Sequence, residues 1–190
     1  MTRERLEAGA LHYLARFAAS EERLRRLLAD RIARRNDGHR PPDREQAAWI
    51  EEIVAKCRRL GLIDDAAYAL MRARGRLARG MAPARIRADL RARGVADADV
   101  EAAFVRLMEE AGETHPLDAE AALRFARRRH FGPWRRVEAS TDRLKREIAA
   151  FARAGFSYGL ARRIVSAVDE ADLADMLAGE DERDELEEGS

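Results

Sequence analysis

The side chains of this chain with the greatest capacity for specific chemistry are its arginines. Of 36 Lys+Arg, only Lys56 and Lys145 are lysine. A guanidinium presents a planar fork of N–H donors that matches a carboxylate or a phosphate bidentately. Arg72, Arg76 and Arg79 fall at i, i+4 and i+7, so they form one ridge of a helix, with Arg74 between them. Arg85, Arg87, Arg91 and Arg93 crowd the following segment, away from Ile86 and Leu90. Arg124, Arg127, Arg128 and Arg129 make a third cluster beside His130. A single arginine of this kind reads as part of a solvated face. The set reads as a binding surface for a polyanion or an acidic protein, and charge alone does not separate these two partners.

Other reactive types are poorly placed. Asp64-Asp65 has the composition of a metal-binding pair, but it stands where a helix begins, so capping is the expected role. His12, His39, His115 and His130 show no ligand spacing and have no cysteine partners. Cys57 lies on an apolar stripe and is expected to be a small core residue. With no strand evident there is no strand–glycine-loop–helix phosphate site. No catalytic residue, metal ligand or cofactor is assigned, and the chain is expected not to be an enzyme.

The elements that position the arginines are helical. Ala, Arg, Leu and Glu dominate the 190 residues, and strand formers are scarce. No apolar run approaches the roughly 18 residues of a membrane helix, and the start lacks a signal-peptide core, so a soluble cytoplasmic protein is expected; it is also expected to be a monomer. The net charge of +1 hides a split. Residues 169–190 hold eleven acids and one base, leaving 35 Lys+Arg against 24 Asp+Glu in residues 1–168. A basic body implies an acidic or polyanionic partner. The acidic tail is expected to be disordered, either as a solubilising appendage or as a competitor for the basic face.

Periodicity predicts helices at about Glu4–Ala18 (Leu6, Ala10, Leu11, Leu14 and Phe17 inward), from Ser20, and at Asp43–Leu60. They continue at Asp65–Arg79, Pro83–Arg93 and from Asp97, then at Leu117–Arg129, Thr141–Ala154 and Ser157–Val168. The joint Gly61-Leu62-Ile63-Asp64-Asp65, followed by Tyr68, predicts a helix end joined to a helix start across about three residues. Gly61 closes one helix, Leu62 and Ile63 dock on the core, and Asp64 or Asp65 caps the next. At an offset of 61 residues Leu90 falls on Phe151, Gly94 on Gly155, Val95 on Phe156 and Ala103 on Ile164. The first set lacks this closure, with Arg35-Asn36 in its place. The expected fold is all-α, with three tandem three-helix repeats, helix-turn-helix-like, at 1–63, 64–113 and 114–168 and the tail at 169–190.

Gly61-Leu62-Ile63-Asp64-Asp65 with Tyr68-Ala69, then Arg79-Gly80, Ile86, Leu90 and Gly94-Val95, resembles the RecX family of bacterial RecA modulators. Ala121, Ala122, Phe151, Gly155-Phe156 and Ile164 resemble its C-terminal repeat more loosely. Met81, Ala67 and the acidic tail depart from the family pattern. The resemblance implies an elongated, curved body that binds the RecA filament on DNA and restrains RecA recombinase and coprotease activity. It also implies weak single- or double-stranded DNA binding. A direct DNA-binding protein of helix-turn-helix type is the alternative.

Overall fold

Nine α-helices are found among the described residues, 1–112 and 117–173 of the computed structural model. They are α1 (Arg3–Leu14), α2 (Glu21–Ala33), α3 (Arg44–Arg59), α4 (Asp65–Leu77), α5 (Pro83–Ala92), α6 (Asp97–Ala111), α7 (Leu117–Arg129), α8 (Thr141–Ala154) and α9 (Tyr158–Ser166). Among these residues no strand occurs, and no helix is long and apolar enough to cross a membrane.

Helix starts follow from side-chain oxygens that satisfy the first free N–H groups. Ser20 accepts from Arg23 N–H at 3.2 Å, and Asp43 forms a reciprocal box with Gln46. Asp64 accepts from Ala67 N–H at 2.9 Å, so it is the cap of α4. Asp65 does something different. Its carboxylate accepts from Glu21 N–H at 2.9 Å, tying the start of α4 to the start of α2. Burial pushes its carboxyl above the ordinary value, and the Glu21 N–H partly offsets this.

Helix ends repeat one hydrogen-bond pattern. At Gly61, Gly80, Gly94 and Gly155, each at positive φ, the glycine N–H reaches back three residues and the next N–H reaches back five. This double bond satisfies two terminal carbonyls and turns the following residue inward. Val95 and Phe156 are accordingly buried, as the matched spacing predicts. Met81 follows Gly80 and is half-buried. Leu62 follows Gly61 but stays 46% exposed, and Ile63 alone docks at that joint. The first helix also departs from expectation. It ends at Leu14, four residues early, so Phe17 is 55% exposed, and Leu11 within it is 40% exposed instead of inward.

The chain divides into two compact units. One comprises Met1–Arg72 with Ala88–Arg106, the other Ala73–Arg87 with the described residues from Leu107 onward. The boundary therefore passes through α4, α5 and α6, the helices of the expected second repeat. In the first unit, Leu6, Ala10, Leu24, Leu28 and Ile32 pack with Ile50, Ile53, Val54, Cys57 and Ile63. The α3 members recur at i, i+3, i+4 and i+7, one face of the helix.

The second unit is built on aromatic rings. Phe125 of α7 lies 5.0 Å between centroids from Phe151 of α8 and 5.6 Å from Phe156, with Phe131 at 6.1 Å. Phe151 is fully buried, which stabilises by roughly 2–3 kcal/mol. Beside them Glu147 of α8 is 2% exposed. It accepts from Gly132 N–H, from both Nε and Nη2 of Arg135, and from Arg143. Burial alone would raise its carboxyl, but the Arg135, Gly132 and Arg143 bonds outweigh burial and hold it below the ordinary range. Asp169–Leu173, expected to open a disordered tail, belong to this fold. Asp169 caps Ala171 and Asp172, and Leu173 is 3% exposed. Residues 113–116, with His115, and residues 174–190 lie outside the described residues.

Candidate functional site

A cleft of about 450 Å³ opens on the second unit where four helix termini converge. The end of α4 contributes Arg76, Arg79, Gly80 and Met81, and α5 contributes Arg85. The end of α7 contributes Phe125, Arg128 and Arg129, and the end of α8 contributes Ala150, Arg153 and Ala154. Among the described residues that line it, six are arginines and none is acidic.

Two of the glycine closures bring these ends together. A Cβ added at Gly80 would stand 2.7 Å from Phe125 N and 3.0 Å from Ala121 O, both backbone atoms of α7. The turn after α4 therefore touches the α7 backbone. A Cβ at Gly155 would stand 3.4 Å from the Ala82 Cβ and 3.6 Å from the Arg85 Cβ. Clustered guanidiniums repel one another, and here the helix ends offset that repulsion. Arg128 donates to the Arg79 carbonyl at 2.7 Å, and Arg85 donates to the Arg153 carbonyl at 3.3 Å. Both carbonyls lie at the negative ends of helices. Arg129 lies over the Phe125 ring at 5.7 Å. A guanidinium that has given one N–H to a carbonyl keeps others for a ligand. The cleft thus suits an anion with several acceptor oxygens, without covalent chemistry.

Five of the eleven arginines selected from sequence meet in this cleft: Arg76, Arg79, Arg85, Arg128 and Arg129. The others are engaged elsewhere. Arg72 is held by Asp89 at 3.0 Å, over the Tyr68 ring, with its side chain only 20% exposed. The same carboxylate takes Arg93 at 3.1 Å. Arg74 grips both oxygens of Glu110 at 2.7 Å. Arg91 bonds Asp97 and Glu101, and Arg124 bonds Glu120 one turn away. Arg127 bonds Glu170 at 2.8 Å over the Trp134 ring. Burial pushes the Asp118 carboxyl up, and the charge of Arg87 offsets part of that rise. The continuous ridge Arg72–Arg76–Arg79 is therefore broken at its first member. Arg153, absent from the sequence selection, lines the cleft. Its place in the last turn before Gly155 was the available signal.

Comparison with known proteins agrees with this architecture. Residues 64–103 match the family described as RecX, second three-helix domain. The regulatory protein RecX of Myxococcus xanthus is 41% identical over 162 residues, covering 84% of this chain and 83% of that protein. The regulatory protein RecX of Halorhodospira halophila is 32% identical over 169 residues, covering 89% and 91%. A crystal structure of RecX from Lactobacillus salivarius shares the fold with a TM-score of 0.58 at 20% identity, covering 87% of this chain and 96% of that one. Another, a crystal structure of regulatory protein RecX, does so with a TM-score of 0.55 at 23% identity over 85% and 70%. The all-α fold, the Gly-Leu-Ile-Asp-Asp joint and two relatives above 30% identity, each matched over more than four fifths of its length, lead to one conclusion: the chain belongs to the RecX family of regulatory proteins.

Proposed function

We propose that this protein is a non-enzymatic cytoplasmic regulator that binds the RecA–DNA filament and restrains RecA recombinase and coprotease activity. In this reading the arginine cleft of the second unit is the principal contact, and the protein works as a monomer of three tandem three-helix repeats. The observation that carries the reading is the cleft itself, with six arginines from four helix ends among its described lining residues. Family membership supplies the partner class, and the cleft supplies chemistry suited to an anionic surface of that partner.

The test is RecA-dependent ATP hydrolysis on single-stranded DNA. The intact protein should inhibit it, and the Arg79→Glu/Arg128→Glu/Arg153→Glu variant should not, while keeping native helix content. Each lost charge-assisted contact removes about 1.5 kcal/mol, near tenfold in affinity. Reversal of Arg91 and Arg124, which already sit on carboxylates, should change inhibition less than tenfold. Full inhibition by the triple cleft variant would sink the proposal. Binding of naked duplex as tight as binding of the filament, with steep salt dependence, would favour a direct DNA binder instead.

A further inference from the structure

The early end of α1 leaves an aromatic ring on the surface of the first unit, and that ring has a setting. Phe17 is 55% exposed, and its centroid lies 5.2 Å from that of the half-buried Tyr13. The two rings border a pocket of about 180 Å³, lined also by Gly9, His12, Arg16, Leu27, Arg31 and Arg34. We propose that this pocket holds one unpaired nucleotide, its base stacked on Phe17 and its phosphate on the guanidiniums of Arg16, Arg31 and Arg34. The ligand chemistry is a nucleobase joined to phosphate, supplied by a single strand or by a free nucleoside phosphate. The site is built wholly from the first unit. It does not depend on the filament reading, which rests on the cleft of the second.

Spacing along two helices assembles the pocket. Gly9, His12, Tyr13 and Arg16 stand at i, i+3, i+4 and i+7, one face of α1 continued through its last turn. Leu27, Arg31 and Arg34 stand at i, i+4 and i+7 on α2, with Arg34 as its C-cap. The N–H groups of Arg16 and Phe17 both bond the Tyr13 carbonyl, at 3.1 and 3.0 Å. That turn carries Phe17 past the helix without returning it to the core. Glycine inside a helix is destabilising relative to alanine, and Gly9 has a spatial reason for its place. A Cβ built there would fall on the Arg31 guanidinium, 2.7 Å from Cζ. The missing side chain lets Arg31 lay its charged end against the α1 backbone. Arg31 is accordingly half-buried, whereas Arg16 and Arg34 are exposed.

The mixture of walls selects the ligand. An exposed aromatic face accepts another planar ring, and stacking of a base on such a face tolerates any base. Guanidiniums take phosphate oxygens through paired N–H donors, again without regard to the base. A nucleotide supplies both features at once. An acidic side chain supplies the anion and no flat ring. A duplex keeps its bases stacked on one another, away from Phe17. A pocket of about 180 Å³ also has room for one base and not for a base pair.

The test uses the full chain carrying Arg79→Glu/Arg128→Glu/Arg153→Glu, so that the cleft of the second unit does not hold the probe. Fluorescence anisotropy at low salt follows a short labelled oligothymidylate and an abasic strand of the same length and charge. The oligothymidylate should bind at least about fivefold more tightly, the low end of what one stacked base contributes. Phe17→Ala should erase that preference and leave the affinity for the abasic strand unchanged, and Phe17→Trp should restore it. Arg16→Glu/Arg34→Glu should weaken both strands at least about tenfold. Gly9→Ala should weaken both strands while the thermal midpoint does not fall, because alanine is the better helix former. Thymidine triphosphate identifies the source: a lower dissociation constant than that of the oligothymidylate assigns the site to a free nucleotide, and a higher one assigns it to a strand. Equal affinity for the two strands would overturn the proposal, as would a preference that survives Phe17→Ala. Tighter binding of an oligoglutamate of equal charge would overturn the assignment to a nucleotide. If circular dichroism shows the cleft reversals to unfold the chain, the Phe17 comparison is made in the intact protein, where the cleft is common to both variants. No RecA is present, so failure here leaves the filament reading untouched and the two fail separately.

Discussion

Gly80 and Gly61 offer a matched pair for testing how the cleft is assembled. Both close a helix with the same two backward hydrogen bonds, and their φ angles are +71° and +66°. They differ in what surrounds them. A Cβ at Gly61 would meet nothing within 4 Å, whereas one at Gly80 would meet Phe125 N at 2.7 Å, Ala121 O at 3.0 Å and the Arg124 carbonyl carbon at 3.1 Å. Gly61→Ala therefore isolates the cost of a left-handed alanine, about 1 kcal/mol. Gly80→Ala carries that cost and also drives a methyl into the α7 backbone. Relief to ordinary contact needs a shift of about 0.7 Å between the turn and α7, and overpacking of this kind costs about 1–3 kcal/mol. The expected totals are about 1 kcal/mol for Gly61→Ala and about 3 kcal/mol for Gly80→Ala. In urea, with a slope of about 2 kcal/mol per molar, the midpoints should fall by about 0.5 M and 1.5 M. Because Gly80 lines the cleft, its variant should, on the function proposed above, also inhibit RecA less at temperatures where it remains folded. Equal midpoint losses for the two variants would refute the close approach of the α4 turn to α7, and the cleft geometry with it.

Glu147→Gln should destabilise the protein by about 3 kcal/mol or more, because Arg135, its side chain 10% exposed, loses a buried anionic partner. The carboxyl of Glu147 is lowered in the folded state, so its contribution is present above the unfolded value near 4.5 and is lost as pH falls through the lower folded value. Acid titration of stability should show this loss in the intact protein and not in Glu147→Gln. Arg72→Glu should destabilise the fold, since it sets a carboxylate against the half-buried Asp89, whereas Arg79→Glu should leave the thermal midpoint within a few degrees. Thermal unfolding followed by circular dichroism separates the two, and equal midpoints would show that Arg72 is not structurally committed.

Much of the helical framework is legible in the sequence because its causes are local. Ser20, Asp43 and Asp64 cap through bonds to N–H groups three residues ahead. Gly94 and Gly155 close through bonds to carbonyls three and five residues behind. Such signals lie within about one turn, so spacing alone reveals them. Local signals fail where the chain leaves a helix without a marked stop. No glycine follows Leu14, and the apolar period carried on through Phe17 although α1 had ended.

The identity of the working arginines depended on tertiary structure. Arg72 finds Asp89 seventeen residues away, Arg74 finds Glu110 thirty-six away and Arg127 finds Glu170 forty-three away. Helical period cannot foresee those partners, and each pairing commits a guanidinium that looks exposed in sequence. Arg153 entered the cleft for the opposite reason, because the Gly155 closure sets the end of α8 against α5. By itself the sequence determined the helices, their caps and closures, the family and a surplus of positive charge. Tertiary structure alone decided which arginines meet around one cleft and which are neutralised, because Coulomb attraction and close packing act through space, whereas helix formation acts along the chain.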